Sequence, residues 1–493
     1  ILAAFGIFQQ NYPRKEISMS AIVIFTGNNR ELLGESLDLM AHRGEEKTIY
    51  ETVDGYQMAS VAGRAFSASK LRHSSSEGIA VIDGFLLSPS GSGWSEETVQ
   101  LYRELGKRFL ERLEGSFSLA VNDGKETIVA RDPIGLKPLY YGLIGRETIF
   151  ASELKAIAPY CDEVALFPPG HYFTREEGFK EYSTCREIID SGEIATDKEK
   201  AIEDVRETLE DSIRKRLEVL NCEPSIFLSG GLDSSCIAAS LKPFVGSFKT
   251  FTVGKSDGED PGCARVVADH LGTEHLEYFY DLDEMLKVLP DVIYHLESFD
   301  PLLVRSSIPN FILSKLASEN GCEFVFMGEG ADELFAGYDY MKKIEAGEEI
   351  EAELLRITEN GNRSGFQRDD RMALAHGIEY DVPFMDPDML KLAFSIPVDW
   401  KLHGKDKTEK WILRKAFEDR LPDEIVWRKK KKFSIGAGSY DLMERYAQET
   451  VSQEQFERDR EKAGIRTKEE SLYFNIFKEV YHCEGAIETV YRN

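Results

Sequence analysis

The sequence predicts an α/β protein in two parts: a β-rich first part, then a parallel, doubly wound sheet that leads into a helical tail. Three observations predict this. Residues 1 to about 185 carry short alternating runs separated by turn residues, which suits antiparallel strands. From Ser225 onward, strand-like and helix-like patterns alternate, which predicts a parallel sheet. The length, 493 residues, exceeds what one core usually fills, so two or three domains are expected.

In chain order, Leu2 to Phe8 reads as a first strand. Further strands are expected at Gln57 to Ala62, Gly78 to Ile82, Phe117 to Val121 and Thr127 to Ala130, with Asn122-Asp123-Gly124 as a turn. Helices are expected near 29–42 and 95–113. Glu176 to Lys200 is polar, carries Gly178 and Gly192, and reads as a linker between domains at 1–190 and 200–493. Thr196 with Glu199 fits a capping box. Ile202, Val205, Leu209, Ile213, Leu217 and Leu220 follow at helical spacing. Next come strands at Ser225 to Leu228, Lys249 to Val253, Glu274 to Tyr280 and Glu323 to Met327, with helices near 261–271 and 306–319. The tail, about 366–493, reads as mostly helical.

The richest stretch is Leu228-Ser229-Gly230-Gly231-Leu232-Asp233-Ser234-Ser235. A strand precedes it and a helix start follows. Backbone N–H groups and the positive end of the helix dipole therefore converge on one spot, an anion site. Gly230 and Gly231 permit close approach, and Ser229, Ser234 and Ser235 add hydroxyls. Asp233 repels a phosphate unless a cation lies between, which points to Mg²⁺. The loop lacks the Gly-Lys-Ser/Thr ending of a Walker A motif. A plain Ser/Gly turn is the alternative.

Bulk properties narrow the class. The formal net charge of −27 argues against general nucleic-acid or membrane-surface binding. Seven scattered cysteines without a Cys-x-x-Cys pair argue against structural zinc and a disulfide framework. Free thiols in a cytoplasmic protein are expected. No apolar run reaches membrane-spanning length, and the N-terminus lacks the basic region of a secretory signal.

Ser-Gly-Gly-x-Asp-Ser-Ser resembles the pyrophosphate loop of ATP pyrophosphatases, which cleave ATP between the α and β phosphates. The second half as a whole resembles the synthetase domain of glutamine-hydrolysing asparagine synthetases. The supporting segments are Thr250 to Gly254, Met327-Gly328-Glu329-Gly330-Ala331-Asp332-Glu333, Arg371 to Asp386, Glu409 to Lys415 and Trp427 to Ser434. The first half is similar to the family's N-terminal-nucleophile (Ntn) glutaminase domain at His42-Arg43-Gly44, Arg131 to Gly142, Ala151 to Ile157 and Phe167 to Gly170. The resemblance implies an Ntn-hydrolase-like αββα domain. It is followed by an ATP-pyrophosphatase (adenine nucleotide α-hydrolase-like) domain with a helical C-terminal region.

The glutaminase parts depart from the family. Its nucleophile is an N-terminal Cys, which the Phe5-Gly6 register places at Leu2. Its Asn-Gly-Glu segment reads Asp83-Gly84-Phe85, and Glu45-Glu46 follows His42-Arg43-Gly44. A glutaminase scaffold without glutaminase activity is expected.

The resemblance implies attack of a carboxylate, aspartate or a related acid, on the α-phosphorus of ATP, then displacement of AMP by ammonia or an amine. Fixed donors and Mg²⁺ stabilise the charge that develops. It places ATP at Leu228, Ser229, Gly230, Gly231, Asp233, Ser234, Ser235, Val253 and Gly328, and Mg²⁺ at Asp233 and Asp332. Asp332 also reads as a helix first-turn acid. Lys430 matches a lysine that neutralises phosphate, although Lys429 to Lys432 also reads as a solvated charge run. Glu329 positions the substrate or amine. Glu379 is a general base or a structural ion-pair partner. Asp381, where the family commonly has Arg, puts aspartate itself in doubt. The implied partners are small molecules, with a homodimer left open. The alternatives are a β-lactam-synthetase-like ligase, a non-catalytic nucleotide-binding homologue, and a nucleic-acid thiolase.

Overall fold

In a computed structural model, residues 20–44, 46–62, 68–88, 93–256, 258–430, 436 and 439–492 are described. The expected Leu2–Phe8 strand, Leu2 itself and the Lys431–Ser434 end of one motif lie outside these residues.

The first half is a four-layer sandwich. One antiparallel sheet contains β1 (Ser20–Phe25), β2 (Glu46–Glu51), β3 (Gln57–Ala62), β8 (Tyr140–Ile144), β9 (Glu147–Ala151) and β10 (Val164–Leu166), ordered β10-β8-β9-β1-β3-β2. The other contains β4 (Arg72–Ser74), β5 (Ile79–Ser88), β6 (Glu114–Asn122), β7 (Thr127–Arg131), β11 (His171–Thr174) and β12 (Gly178–Glu181), ordered β12-β11-β7-β6-β5-β4. Ile22, Ile24, Met58, Val81, Ala120, Val129 and Phe150 interdigitate between the sheets. The helix Arg30–Leu39 covers the outer face of the first sheet, and Trp94–Leu105 covers that of the second. Both faces of each sheet are thus buried. β1, β3 and β7 are accordingly buried at every position, where the expected alternation would have left one face to solvent.

The stretch read as a linker is more ordered than its composition implied. It carries β12 and the short helix Cys185–Asp190. The capping box sits there too, with Thr184 Oγ1 accepting from the Glu187 N–H at 3.0 Å and Glu187 Oε2 from the Thr184 N–H at 3.1 Å. The long helix Lys198–Val219 is capped by Asp197, whose side chain accepts from the Lys200 N–H. A carboxylate one residue further on displaces the expected Thr196 cap.

The second half holds a five-stranded, all-parallel sheet ordered β15-β14-β13-β16-β17: β13 (Pro224–Phe227), β14 (Lys249–Gly254), β15 (Glu274–Phe279), β16 (Phe324–Phe326) and β17 (Glu379–Asp381). The chain leaves β13 for β14 on one side and later returns to pair β16 on the other. The carboxyl end of β13 is therefore a topological switch point, where such sheets bind ligands. The helix Leu282–Leu296 and the three-residue β17 have no counterpart in the sequence reading.

Buried charges hold the halves together. Arg43 Nε lies 2.5 Å from Glu153 Oε1, and Arg43 Nη2 lies 2.7 Å from Asp370 Oδ2 of the second half. Lys155 Nζ bridges Glu153 (2.5 Å) and Glu297 (2.9 Å). Arg371 reaches Glu297 at 2.8 Å and Asp370 at 3.0 Å. Lys137 pairs with Glu379. All of these groups are buried.

Candidate active site

A cavity of about 730 Å³ opens at the switch point. One end of it is built by the loop after β13. The Leu228 N–H donates to the Phe251 carbonyl at 2.9 Å, which ties the loop to the sheet. The helix Leu232–Val245 starts directly behind, so its N-terminal N–H groups face this end. Ser229 Oγ accepts from the Gly231 N–H (3.3 Å) and lies 3.1 Å from Ser234 Oγ. Gly230 has φ +68°, and a side chain there would overlap the Ala264 backbone nitrogen. Only glycine fits both conditions.

Leu228, Ser229, Gly231, Asp233, Ser234, Val253, Gly328, Glu329, Asp332 and Lys430 all line the cavity. Gly230 and Ser235 act one layer back. The Gly230 carbonyl accepts from Arg428 Nη1 (3.1 Å), and the Ser235 hydroxyl donates to the Gly231 carbonyl (2.6 Å). Arg428 also lies 2.7 Å from Asp260, so it clamps the phosphate loop to the helix Glu259–Leu271.

Two aspartates and two lysines form the charged centre. Lys410 Nζ lies 2.6 Å from both Asp233 carboxylate oxygens and 2.6 Å from Asp332 Oδ1. Lys430 Nζ lies 2.5 Å from Asp332 Oδ2 and 3.5 Å from Asp233 Oδ2. Burial disfavours the Asp332 carboxylate, but the Lys410 and Lys430 ammonium groups outweigh it and hold its pKa well below the usual range. Burial likewise opposes the Lys430 ammonium, and Asp332 and Asp233 more than offset it, raising its pKa. Asp332 does sit in the first turn of the helix Ala331–Phe335, yet its side chain faces the lysines. A side chain at Gly337 would overlap Asp332 Oδ1 and Lys410 Cε.

Lys410 lines the same cavity and was not among the residues expected from the sequence. Its segment, Glu409 to Lys415, was recognisable, but nothing local marks the lysine. It caps the helix Trp411–Phe417 in a left-handed conformation (φ 53°), and its N–H donates to the Phe335 carbonyl at 3.2 Å. Only the tertiary fold aims its side chain, 2 % exposed, at both aspartates.

Glu329 is paired with Arg368 at the far end of the cavity. Glu379 is placed elsewhere. It lies on β17, is fully buried, does not line the cavity and pairs with Lys137 of the first half. Asp381 is also outside the cavity, paired with the buried Arg216 on the helix Lys198–Val219. The charge reversal at position 381 is thus answered within the scaffold.

Asp233 and Asp332 fit a Mg²⁺ site of the kind completed by phosphate oxygens and water. Lys410 and Lys430 favour the ionised form of Asp332, and among the described residues no group of three or more His, Cys, Asp or Glu side chains could hold a metal by itself.

A Ser/Gly loop at the switch point faces a lysine–aspartate cluster, an arrangement suited to a polyanionic ligand. Residues 204–367 and 343–475 match the asparagine synthase family, and residues 90–188 match the glutamine amidotransferase domain family. The chain is 35% identical over 439 residues to a probable glutamine-hydrolysing asparagine synthetase of Schizosaccharomyces pombe, covering 80% of this chain and 77% of that one. It is 34% identical over 420 residues to asparagine synthetase B of Escherichia coli, covering 80% and 75%. A probable asparagine synthetase of Dictyostelium discoideum matches at 34%, covering 80% and 77%. The chain belongs to the asparagine synthetase family.

Proposed function

We propose that residues 200–493 catalyse ATP-dependent, AMP-forming amide synthesis on aspartate or a closely related acid, and that residues 1–190 serve as a scaffold. One observation carries this reading: Lys410, Lys430, Asp233 and Asp332 face the Ser229 loop in a cavity that continues past Glu329. A carboxylate oxygen of the acid attacks the α-phosphorus, a P–O bond forms, and the bond to the β-phosphate breaks to release pyrophosphate. The amine nitrogen then attacks the acyl carbon, AMP leaves with its oxygen, and the amine gives up a proton.

Ser229, Gly231 and Ser234 hold the departing pyrophosphate with N–H and O–H donors. Lys410 and Lys430 balance its charge, exchanging the two aspartates for phosphate oxygens. Asp233 and Asp332 are then available for Mg²⁺, which when bound neutralises phosphate charge and polarises the α-phosphorus. Thr252 and Val253 flank the nucleotide end, and Glu329 with Arg368 orients the acid and amine beyond it. Of the alternatives, the β-lactam-synthetase-like reading is not favoured, since the matched relatives are named asparagine synthetases.

The nitrogen source in this reading is ammonia or a free amine. Asp83 is fully buried and taken up by Ser20 Oγ (3.1 Å) and Arg43 Nη1 (3.3 Å), so its segment is engaged in ion pairing rather than open to glutamine.

The test is pyrophosphate release from ATP and Mg²⁺ with a panel of carboxylates. Aspartate with ammonium is expected to give asparagine at the highest rate. A panel acid that supports turnover while aspartate does not would overturn the substrate assignment. Glutamine hydrolysis above background by the purified chain would overturn the scaffold assignment.

A further inference from the structure

Beyond Glu329 the cavity is lined by two residues with unmet hydrogen-bonding capacity. Asn310 lies on the helix Pro301–Glu319 and Asp369 on the helix Gly365–Leu374, and the two helices pack side by side. Asn310 is 4 % exposed and Asp369 0 %. Asn310 Nδ2 donates to Asp369 Oδ1 at 3.2 Å, and Arg368 Nε donates to the same oxygen at 3.0 Å. Among the described residues, Asn310 Oδ1 and Asp369 Oδ2 have no hydrogen-bond partner. A buried acceptor without a donor is destabilising, so a site that retains two of them is short of a donor.

The charge balance points the same way. Arg368 is shared between the Glu329 and Asp369 carboxylates, which leaves one negative charge over. The other arginines at this end are committed elsewhere. Arg356 is held by Glu353, at 2.7 Å, and Arg492 by the Ala463 and Gly464 carbonyls, at 2.8 and 3.1 Å. Burial pushes the Asp369 carboxyl up to about 6, against the pull of Arg368, so a cation beside it gains by restoring the ionised form. A group that brings only donors and one positive charge meets every requirement. Carboxylates, phosphates and carbonyls bring acceptors and are rejected.

We propose that Asn310 and Asp369, with Glu329, form a subsite for a protonated amine. Two sources share that chemistry: the ammonium ion that becomes the amide nitrogen, and the α-ammonium of an amino-acid substrate. The choice between these two sources rests on the amide-ligase reading, which brings an amine into this cavity.

The experiment measures binding by calorimetry to the full chain loaded with Mg²⁺ and a non-hydrolysable ATP analogue. The probes are ammonium chloride, L-aspartate and succinate, which lacks the α-ammonium. The variants are Asp369→Asn and Asn310→Leu. The subsite predicts that either variant weakens one amine-bearing probe at least tenfold while the ATP analogue binds as before. If ammonium weakens and aspartate does not, the subsite takes the ammonium ion. If aspartate weakens and succinate does not, it takes the α-ammonium. The proposal is overturned if the wild-type chain binds neither amine-bearing probe, if both variants bind all probes like the wild type, or if analogue affinity falls in parallel. Pyrophosphate release by the wild-type chain is recorded separately. Its absence alongside intact, variant-sensitive amine binding would sink the ligase reading and leave the subsite standing.

Discussion

Lys410 carries the account at the scale of single residues. Its ammonium group sits between two carboxylates where a polyphosphate substrate would compete for it. Lys410→Met is expected to slow pyrophosphate release about 100-fold, the magnitude of losing one fixed charge-stabilising group. It should also lower the melting temperature, because two partly buried carboxylates lose a partner. A release assay beside a thermal melt checks both, and an unchanged rate would remove Lys410 from the mechanism. Asp369 gives a pH signature. Its folded pKa, about 6, is above its ordinary value of 3.8, so the folded state holds its proton more tightly than the unfolded chain does. That contribution to stability is full below about 3.8 and is lost as pH rises through about 6. Asp369→Asn should flatten this part of the stability curve, measured by denaturant titration at several pH values. The residues expected to bind phosphate were legible as candidates because their chemistry is local: glycines, hydroxyls and one odd carboxylate in a row. Lys410, Asn310 and Asp369 were not, because each acquires its role only from neighbours distant in sequence.

Among elements, β17 is the informative case. Three residues are too few for a periodic signal, yet this strand completes the parallel sheet and carries Glu379 and Asp381 away from the cavity. The sequence left Glu379 as either general base or ion-pair partner. Its place opposite Lys137 supports the ion pair. Lys137→Met should destabilise the chain by about 3–5 kcal/mol, since it leaves a buried carboxylate uncompensated. Adding Glu379→Gln should recover much of that loss and retain amide synthesis. Equilibrium unfolding and product assays on the single and double variants would show it. Loss of amide synthesis in the double variant with pyrophosphate release intact would restore Glu379 as the base. The helix start at Asp197 has a similar lesson, because two neighbouring residues, Thr196 and Asp197, offer caps and only the folded backbone selects one.

For the whole molecule, the division into an antiparallel sandwich and a parallel sheet followed from the spacing of apolar runs and turns. The contact between the halves did not. Arg43, Asp83, Lys137, Glu153 and Arg371 fall in segments singled out in the sequence, and Glu297 and Asp370 do not, yet no local pattern joins them; the fold buries all seven together. Buried ion pairs of this kind fix geometry more than they add stability. The two halves should therefore unfold as one cooperative unit, with coincident calorimetric and spectroscopic transitions. Separate transitions would show that the network does not couple them.

The central claim is that a carboxylate is activated as an acyl-adenylate before the amine arrives. Aspartate labelled with oxygen-18 in its side-chain carboxylate tests it directly, incubated with the full chain, ATP, Mg²⁺ and ammonium. One labelled oxygen is expected in each AMP formed, with pyrophosphate and amide in equal amount. Unlabelled AMP, or ADP with inorganic phosphate as the products, would contradict it.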